Sequence, residues 1–489
     1  MHVEQDEQDR QLDRQVLHGS AWTAAGYGSR QVLAFASVLV LARLVEPHAF
    51  GLIALATPFL LALQYLQESG MSAALVHRRT DVERAAATLV VAAPLIGATL
   101  YIAVFFAAPT IADAFNAPKL ALVLRIIGLM VVLRSLAIAP GALLERAMNF
   151  RARARVDIAA AVTQVSISIA LAAFGAGVWA LVAGQVAAQM TETVLYWSLT
   201  PFRPSPRDAS WAMFRDMSRY SRFVGANNIL NLFNNTVDNL IVGRLLGPTR
   251  LAYYALSFRL AMLPNSVIGY VVGRVMFSVY ASLQHDRAAV KRVYLENLQR
   301  IAIFSLPVAL TLVIAADPIV PGLLGERWSP AIAPLRLLGV YGLVRSFFAP
   351  SNEVFKGLGH PKYGLMAEIG FSLPVIPALL LLVPRLGLSG APLAMLSGLA
   401  LAGIPAFLLT LRLLDASVHE LAECLLRPVA AAICVAGALL VAVRLTASLS
   451  PEPALLLVAA AGIVAYVGGT ALFARRIVLT MWTNARGTT

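Results

Sequence analysis

The sequence predicts an all-α membrane protein of about 14 transmembrane helices: two six-helix lobes in a parallel pseudo-twofold repeat, plus two extra C-terminal helices. Three observations predict it. The 489-residue chain is 59% hydrophobic and only 13% charged, against about 25% charged in a soluble domain. Apolar stretches long enough to cross a bilayer, about 20 residues each as helix, follow one another with short loops between them. A motif also recurs at a constant offset about halfway along the chain. Fourteen crossings consume roughly 280 residues, which leaves no room for a separate catalytic domain.

The predicted spans are 16–45, 49–76, 85–110, 119–144, 156–174, 177–200, 220–246, 251–280, 299–322, 331–355, 364–384, 387–413, 426–447 and 453–474. They divide into a cytoplasmic tail (1–15), an N-lobe (16–200), an amphipathic inter-lobe linker (201–219), a C-lobe (220–413) and a final helix pair with a second tail (414–489). Gln64, Gln67 and Glu68 interrupt the second span, and Pro58, Pro264 and Pro374 lie inside others. Membrane helices tolerate such breaks where protein surrounds the freed backbone groups. The charged start MHVEQDEQDRQLDRQV does not have the pattern of a cleavable signal peptide.

Basic residues set the orientation. The loops after even-numbered spans include HRRTDVER (77–84), ERAMNFRARAR (145–155), HDRAAVKR (285–292) and KGLGHPK (356–362). These loops hold about 20 Lys and Arg, against about 5 in the odd-numbered loops, which places them and both termini in the cytoplasm. Trp22, Trp179, Trp197 and Trp328 fall near span ends, as interfacial anchors do, and a packing role fits any one of them equally well. In the longest basic loop, Asp208–Arg222 reads as an interfacial helix capped by Asp208, with Trp211 and Phe214 on one face.

The net charge of +13 does not point to nucleic acid, because the basic residues are dispersed between apolar spans and match an anionic lipid surface. Cys424 and Cys434 form no disulfide framework or metal site. No GxxxxGK[ST] loop is present for ATP hydrolysis, and no HExxH or GxSxG context for an intramembrane hydrolase. Outer loops are too short to build a polymerase or glycosyltransferase site.

Residues 39–56, LVLARLVEPHAFGLIALA, and 240–257, LIVGRLLGPTRLAYYALS, align at an offset of 201. They share Leu39/Leu240, Arg43/Arg244, Leu44/Leu245, Pro47/Pro248, Ala54/Ala255 and Leu55/Leu256. Both copies begin after an even number of crossings, so the repeat is parallel, related by an axis along the membrane normal. Two such bundles can rock about a central cavity.

Polar groups inside the spans mark the candidate site. Asn227, Asn231, Asn234, Asn235 and Asp238 form one stripe on the seventh span. Such a stripe faces water or protein, not lipid. A cavity lining and interhelical hydrogen bonding both account for it. At the repeat offset Arg30 corresponds to Asn231, and Ser37 to Asp238. Arg125, Arg134, Arg259, Arg274, Arg336 and Arg345 interrupt apolar runs. Guanidinium forks match phosphate oxygens, and snorkelling to an interface is the simpler alternative for each. Arg43 and Arg244 suit helix C-termini. Glu68, Asp157, Asp238 and Glu368 are candidates for H+ or Na+ coupling, with plain ion pairing the simpler use of Glu68, Asp157 and Glu368. No other cofactor is expected.

The blocks VLARLVEPHAFGLIALA with GMSAALVHR, ALLERAMNFRARARVDI (142–158), FGAGVWALVAGQ (174–185), TVDNLIVGRLLGP (236–248), YYALSFRLAMLP (253–264) and LLGERWSPAIAPLRLLG (323–339) resemble the Wzx-like polysaccharide-transporter flippases. That family belongs to a superfamily with MurJ-type lipid II flippases and MATE drug exporters. The resemblance covers about 16–413. Glu68 stands where members often carry Asp, and Ser278 where Pro often follows Phe277. The resemblance implies translocation of an undecaprenyl- or other polyprenyl-diphosphate-linked glycan across the inner membrane, in association with membrane lipids and polysaccharide polymerase machinery. On that expectation the diphosphate sits among Arg30, Arg259 and Arg274 while sugars bind the Asn stripe. The alternatives are a MATE-like ion-coupled exporter of small amphipathic compounds, a MurJ-like lipid II flippase, or a membrane-bound polysaccharide ligase or polymerase.

Overall fold

In hydrocarbon every backbone N–H and C=O has to be paired within its own segment, so long apolar runs become helices. A computed structural model describes residues 26, 28–68, 71–78, 80–201, 203–263, 265 and 276–475. Side chains at 68, 71, 73, 77, 206, 219–231 and 233–235 lie outside the description. Among the described residues there is no strand.

The first helices are α1 (28–44), α2 (Pro47–Glu68), α3 (Met71–His77), α4 (Val82–Ala114), α5 (Lys119–Arg146), α6 (Phe150–Ala173), α7 (Val178–Leu199), α8 (Trp211–Leu246) and α9 (Pro248–Ala261). They continue with α10 (276–282), α11 (Arg287–Ile314), α12 (Ala316–Leu324), α13 (Ile332–Gly357), α14 (Pro361–Leu386), α15 (Gly390–Gly398), α16 (Ile404–Leu413), α17 (Val418–Leu445) and α18 (Pro451–Phe473). Every predicted span overlaps one of these. Nine stretches of the described residues are long and apolar enough to cross a membrane, and one of them, Pro361–Leu413, is 53 residues long. That is enough for two crossings, and a wide turn at Leu399–Gly403 joins α15 to α16 within it. The chain is thus a multi-pass membrane protein.

Gln67, inside the second span, is buried, and its Nε2 donates to the Val131 carbonyl at 2.9 Å. The basic segment is not a separate interfacial helix begun at Asp208. It forms the first turns of α8, which starts after Ser210 and runs unbroken for 36 residues, roughly 54 Å. Met213 and Met217 explain this, since both are buried against Leu75, Leu89 and Ala139. Trp211 stays exposed, stacked on Phe214 at 5.0 Å, and Arg78 Nη1 donates to Asp216 Oδ2 at 2.8 Å.

The chain resolves into two compact units, Met1–Ala252 and Tyr253–Thr489. In the first, Leu41, Val45, Ala49, Ala172, Ala180 and Leu181 join α1, α2, α6 and α7, while Ala137, Leu144, Ala152, Val156 and Tyr196 join α5, α6 and α7. In the second, Tyr280, Val290, Tyr294, Leu298, Val354 and Leu411 join α10, α11, α13 and α16. Ala315, Ile319, Val435, Leu439 and Val458 hold the last helix pair against the end of α11 and α12. The many small residues allow the close helix approach that substitutes, in lipid, for a hydrophobic driving force. Trp328 is not an interfacial anchor. It is fully buried, with Tyr253 edge-on at 5.7 Å.

Candidate functional site

In the first unit α6 and α7 lie unusually close. A Cβ at Gly184 would collide with Ser168 Oγ. That proximity gathers charged side chains spaced one helical turn apart, Arg153 and Asp157 on α6 with Glu192 and Tyr196 on α7. Asp157 and Glu192 each lie seven residues inside the ends of their helices, roughly 10 Å along the axis. Arg30 Nη1 stands 3.7 Å from Asp157 Oδ1. Arg153 Nη1 is 3.1 Å from Glu145 Oε2, and Gln189 Nε2 donates to Glu192 Oε2 at 3.5 Å. Glu192 lies in the fields of Arg134, Arg30 and Arg153, all attractive, and of Asp157, which is repulsive.

Arg134, Glu145, Arg153, Glu192 and Tyr196, with Ser72 and Gly141, line a cavity of about 110 Å³. That holds several waters or one phosphate-sized group, not an oligosaccharide. Two arginines and two glutamates line it, and the neighbouring Arg30–Asp157 pair makes three guanidinium groups against three carboxylates in the cluster. A phosphate entering the cluster therefore competes with carboxylates already facing the same arginines.

The predicted site residues fall in different places. Arg30 is exposed and Asp157 half-buried, and the two are brought together. Asp238 is 2% exposed and its repeat equivalent Ser37 is 6% exposed, so both are turned into protein. Asn227, Asn231, Asn234 and Asn235 are helical in α8, but their side chains lie outside the described residues, as does that of Glu68. Arg274 lies wholly outside them. Arg259, on α9, and Glu368, on α14, are exposed in the second unit. Three other arginines have local partners. Arg125 lies over Phe105 at 4.6 Å, Arg336 pairs with Asp317, and Arg345 donates to Tyr341 Oη at 2.7 Å. Sequence reasoning missed Glu192, Glu145, Arg153 and Tyr196. The available signal was Glu192 as the lone acid of α7, flanked by Gln189 and Tyr196 at helical spacing.

The repeat also has a physical meeting point. His48 Nδ1 and Thr249 Oγ1, equivalent positions 201 residues apart, are 3.3 Å from each other. A Cβ at Gly51 would collide with the Pro248 backbone carbonyl, and one at Gly243 with Leu55. The α8–α9 turn is sharp because Gly247 takes φ 82°, which glycine adopts freely, and Pro248 opens the next helix. The two copies of the repeated corner thus touch within the first unit.

Membrane helices in a parallel repeat, with charged groups gathered between them, define a polytopic transporter fold. The solved lipid II flippase MurJ, in an inward closed conformation, shares it with a TM-score of 0.72 at 16% identity, covering 94% of this chain and 99% of that one. An inward-facing multidrug resistance MATE family transporter of the MOP superfamily shares it with a TM-score of 0.63 at 18% identity, over 79% and 94% of the two chains. The chain belongs to the polysaccharide biosynthesis protein family, whose pattern matches residues 40–333. It is 23% identical to the lipopolysaccharide biosynthesis protein WzxC of Escherichia coli (strain K12), over 79% of this chain and 78% of that protein. It is likewise 23% identical to the teichuronic acid biosynthesis protein TuaB of Bacillus subtilis (strain 168), over 71% and 72%. With the succinoglycan biosynthesis transport protein ExoT of Rhizobium meliloti (strain 1021) it shares 25% identity over 70% and 69%.

Proposed function

We propose that the chain is a flippase, not an enzyme, which carries a polyprenyl-diphosphate-linked oligosaccharide, a surface-polysaccharide precursor, across the cytoplasmic membrane by alternating access. The family and its relatives, one named as a transport protein, support the substrate class. The observation that carries the reading is the arginine–carboxylate cluster of Arg30, Arg134, Arg153, Asp157 and Glu192. Arg134, on the membrane-spanning α5, costs at least about 2.5 kcal/mol to insert, and a diphosphate is the group of this substrate that matches guanidinium groups. The distribution of basic loops supports cytoplasmic termini and entry from that side.

The same cluster supports coupling. When the diphosphate takes an arginine, Asp157 or Glu192 loses its counter-charge and binds a proton instead. The test is Arg30→Ala in cells that depend on this chain for surface polysaccharide. Production should stop while the protein stays at its normal level in the membrane. Normal production would reject the role of Arg30.

A further inference from the structure

A second charged crevice lies in the other unit, far along the sequence from the cluster above. Between α11 and α17 a cavity of about 340 Å³ is lined by Lys291, Arg292, Glu296, Gln299, Glu420 and Cys424, among others. The two helices are pinned there. Gln299 Nε2 donates to the Cys424 carbonyl at 2.9 Å, and Cys424 Sγ donates to the Leu295 carbonyl at 3.1 Å. Lys291 Nζ pairs with Glu420 Oε1 at 2.8 Å, and Glu420 also completes the cap of α17 with Ser417. Those four groups are committed to the wall.

Arg292 is not. Among the described residues it is the lining cation with no carboxylate in ion-pair range. One turn further along α11, Glu296 faces Arg300 at 3.4 Å in a half-exposed pair, a weak arrangement that leaves the carboxylate open to a second partner. Arg292 and Glu296 are i and i+4 on one helix face, so their side chains are neighbours. Beyond them the helices turn apolar towards the surroundings, with Phe304 and Val308 exposed on α11 and Val429 and Ile433 on α17. The crevice opens at the N-terminal ends of both helices, the side that the basic loops mark as cytoplasmic.

We infer that this crevice binds the headgroup of a zwitterionic, amine-bearing phospholipid of the cytoplasmic leaflet, its phosphate on Arg292 and its ammonium on Glu296. A phosphate and an amine two carbons apart match a cation and a carboxylate one helical turn apart. The acyl chains would extend from the crevice over the apolar outer surface of the two helices. An anionic headgroup with no amine leaves Glu296 unmatched, and a quaternary choline cannot donate a hydrogen bond to it.

The test uses the purified full chain, stripped in detergent and titrated with phosphatidylethanolamine, phosphatidylglycerol or phosphatidylcholine. Retained lipid is counted by native mass spectrometry. Phosphatidylethanolamine should be held about tenfold more tightly than the other two, and Arg292→Ala and Glu296→Gln should each abolish that preference. Both side chains sit at the surface, so melting temperatures should stay put. Equal retention by Arg292→Ala would overturn the site. Phosphatidylglycerol held as tightly as phosphatidylethanolamine would overturn the role of Glu296. Displacement of the lipid by millimolar inorganic phosphate would show a soluble-anion site instead and overturn the lipid assignment.

Discussion

The substitution Gly51→Ala tests the corner at which the repeats meet. A methyl group there is driven into the backbone carbonyl of Pro248. A side chain could rotate away, but a carbonyl at the first turn of α9 cannot. Overpacking a tight contact costs about 1–3 kcal/mol, and the rigid partner argues for about 2 kcal/mol. We propose that the two corners touch in one state of the transport cycle and separate in the other. The penalty therefore falls on the touching state alone and biases the equilibrium by about 30-fold, at 1.36 kcal/mol per tenfold. In a background with Cys424 and Cys434 replaced, Thr249→Cys is labelled in intact cells with a membrane-impermeant maleimide. Adding Gly51→Ala should raise the labelling rate severalfold and reduce polysaccharide export. Unchanged labelling with unchanged export would refute the idea that these corners part during the cycle.

Four further outcomes are expected. Asp157→Asn should lower export without lowering the melting temperature, because a 3.7 Å pair with Arg30 58% exposed contributes about 0–1 kcal/mol to stability. A clear loss of stability would make the pair structural. Glu192→Gln should flatten the dependence of export on the transmembrane pH gradient, measured in inverted vesicles loaded with lipid-linked glycan; an unaltered dependence removes Glu192 from coupling. Trp328→Ala should destabilise the second unit by about 3–5 kcal/mol, read as loss of membrane-inserted protein, since its ring is fully buried. Arg78→Ala should shift stability by less than about 1 kcal/mol through loss of the Asp216 pair, in which Asp216 is 63% exposed.

Most of the architecture was legible, because hydropathy reports helices where lipid forbids anything else. The repeat was legible too. Arg43, Pro47 and their partners at 201 residues' distance lie beside a turn that needs fixed chemistry, and the contact of His48 with Thr249 bears out the alignment. What hydropathy could not show is which polar groups meet. Arg30 and Asp157 stood apart in sequence, on the first and fifth spans, and only the close passage of α6 and α7 adds Glu192 and Tyr196 to them. Stripe periodicity identifies a face but not its neighbour, so the sequence alone left Asp238 between a cavity lining and interhelical hydrogen bonding. Trp328 read as an anchor because position near a span end is the same for a tryptophan at the lipid surface and one folded inward. The continuity of α8 was hidden by its charges, which suggested a water-exposed segment where Met213 and Met217 supply the packing.

The unbroken course of α8 has a mechanical consequence. It contains no proline, and its first turns are clasped by Met213, Met217 and Asp216 while its last residue adjoins the corner at Gly247. A helical strut of this length bends little, so a tilt imposed near Trp211 would be felt as a displacement at Pro248. Its two ends would then move as a single rod.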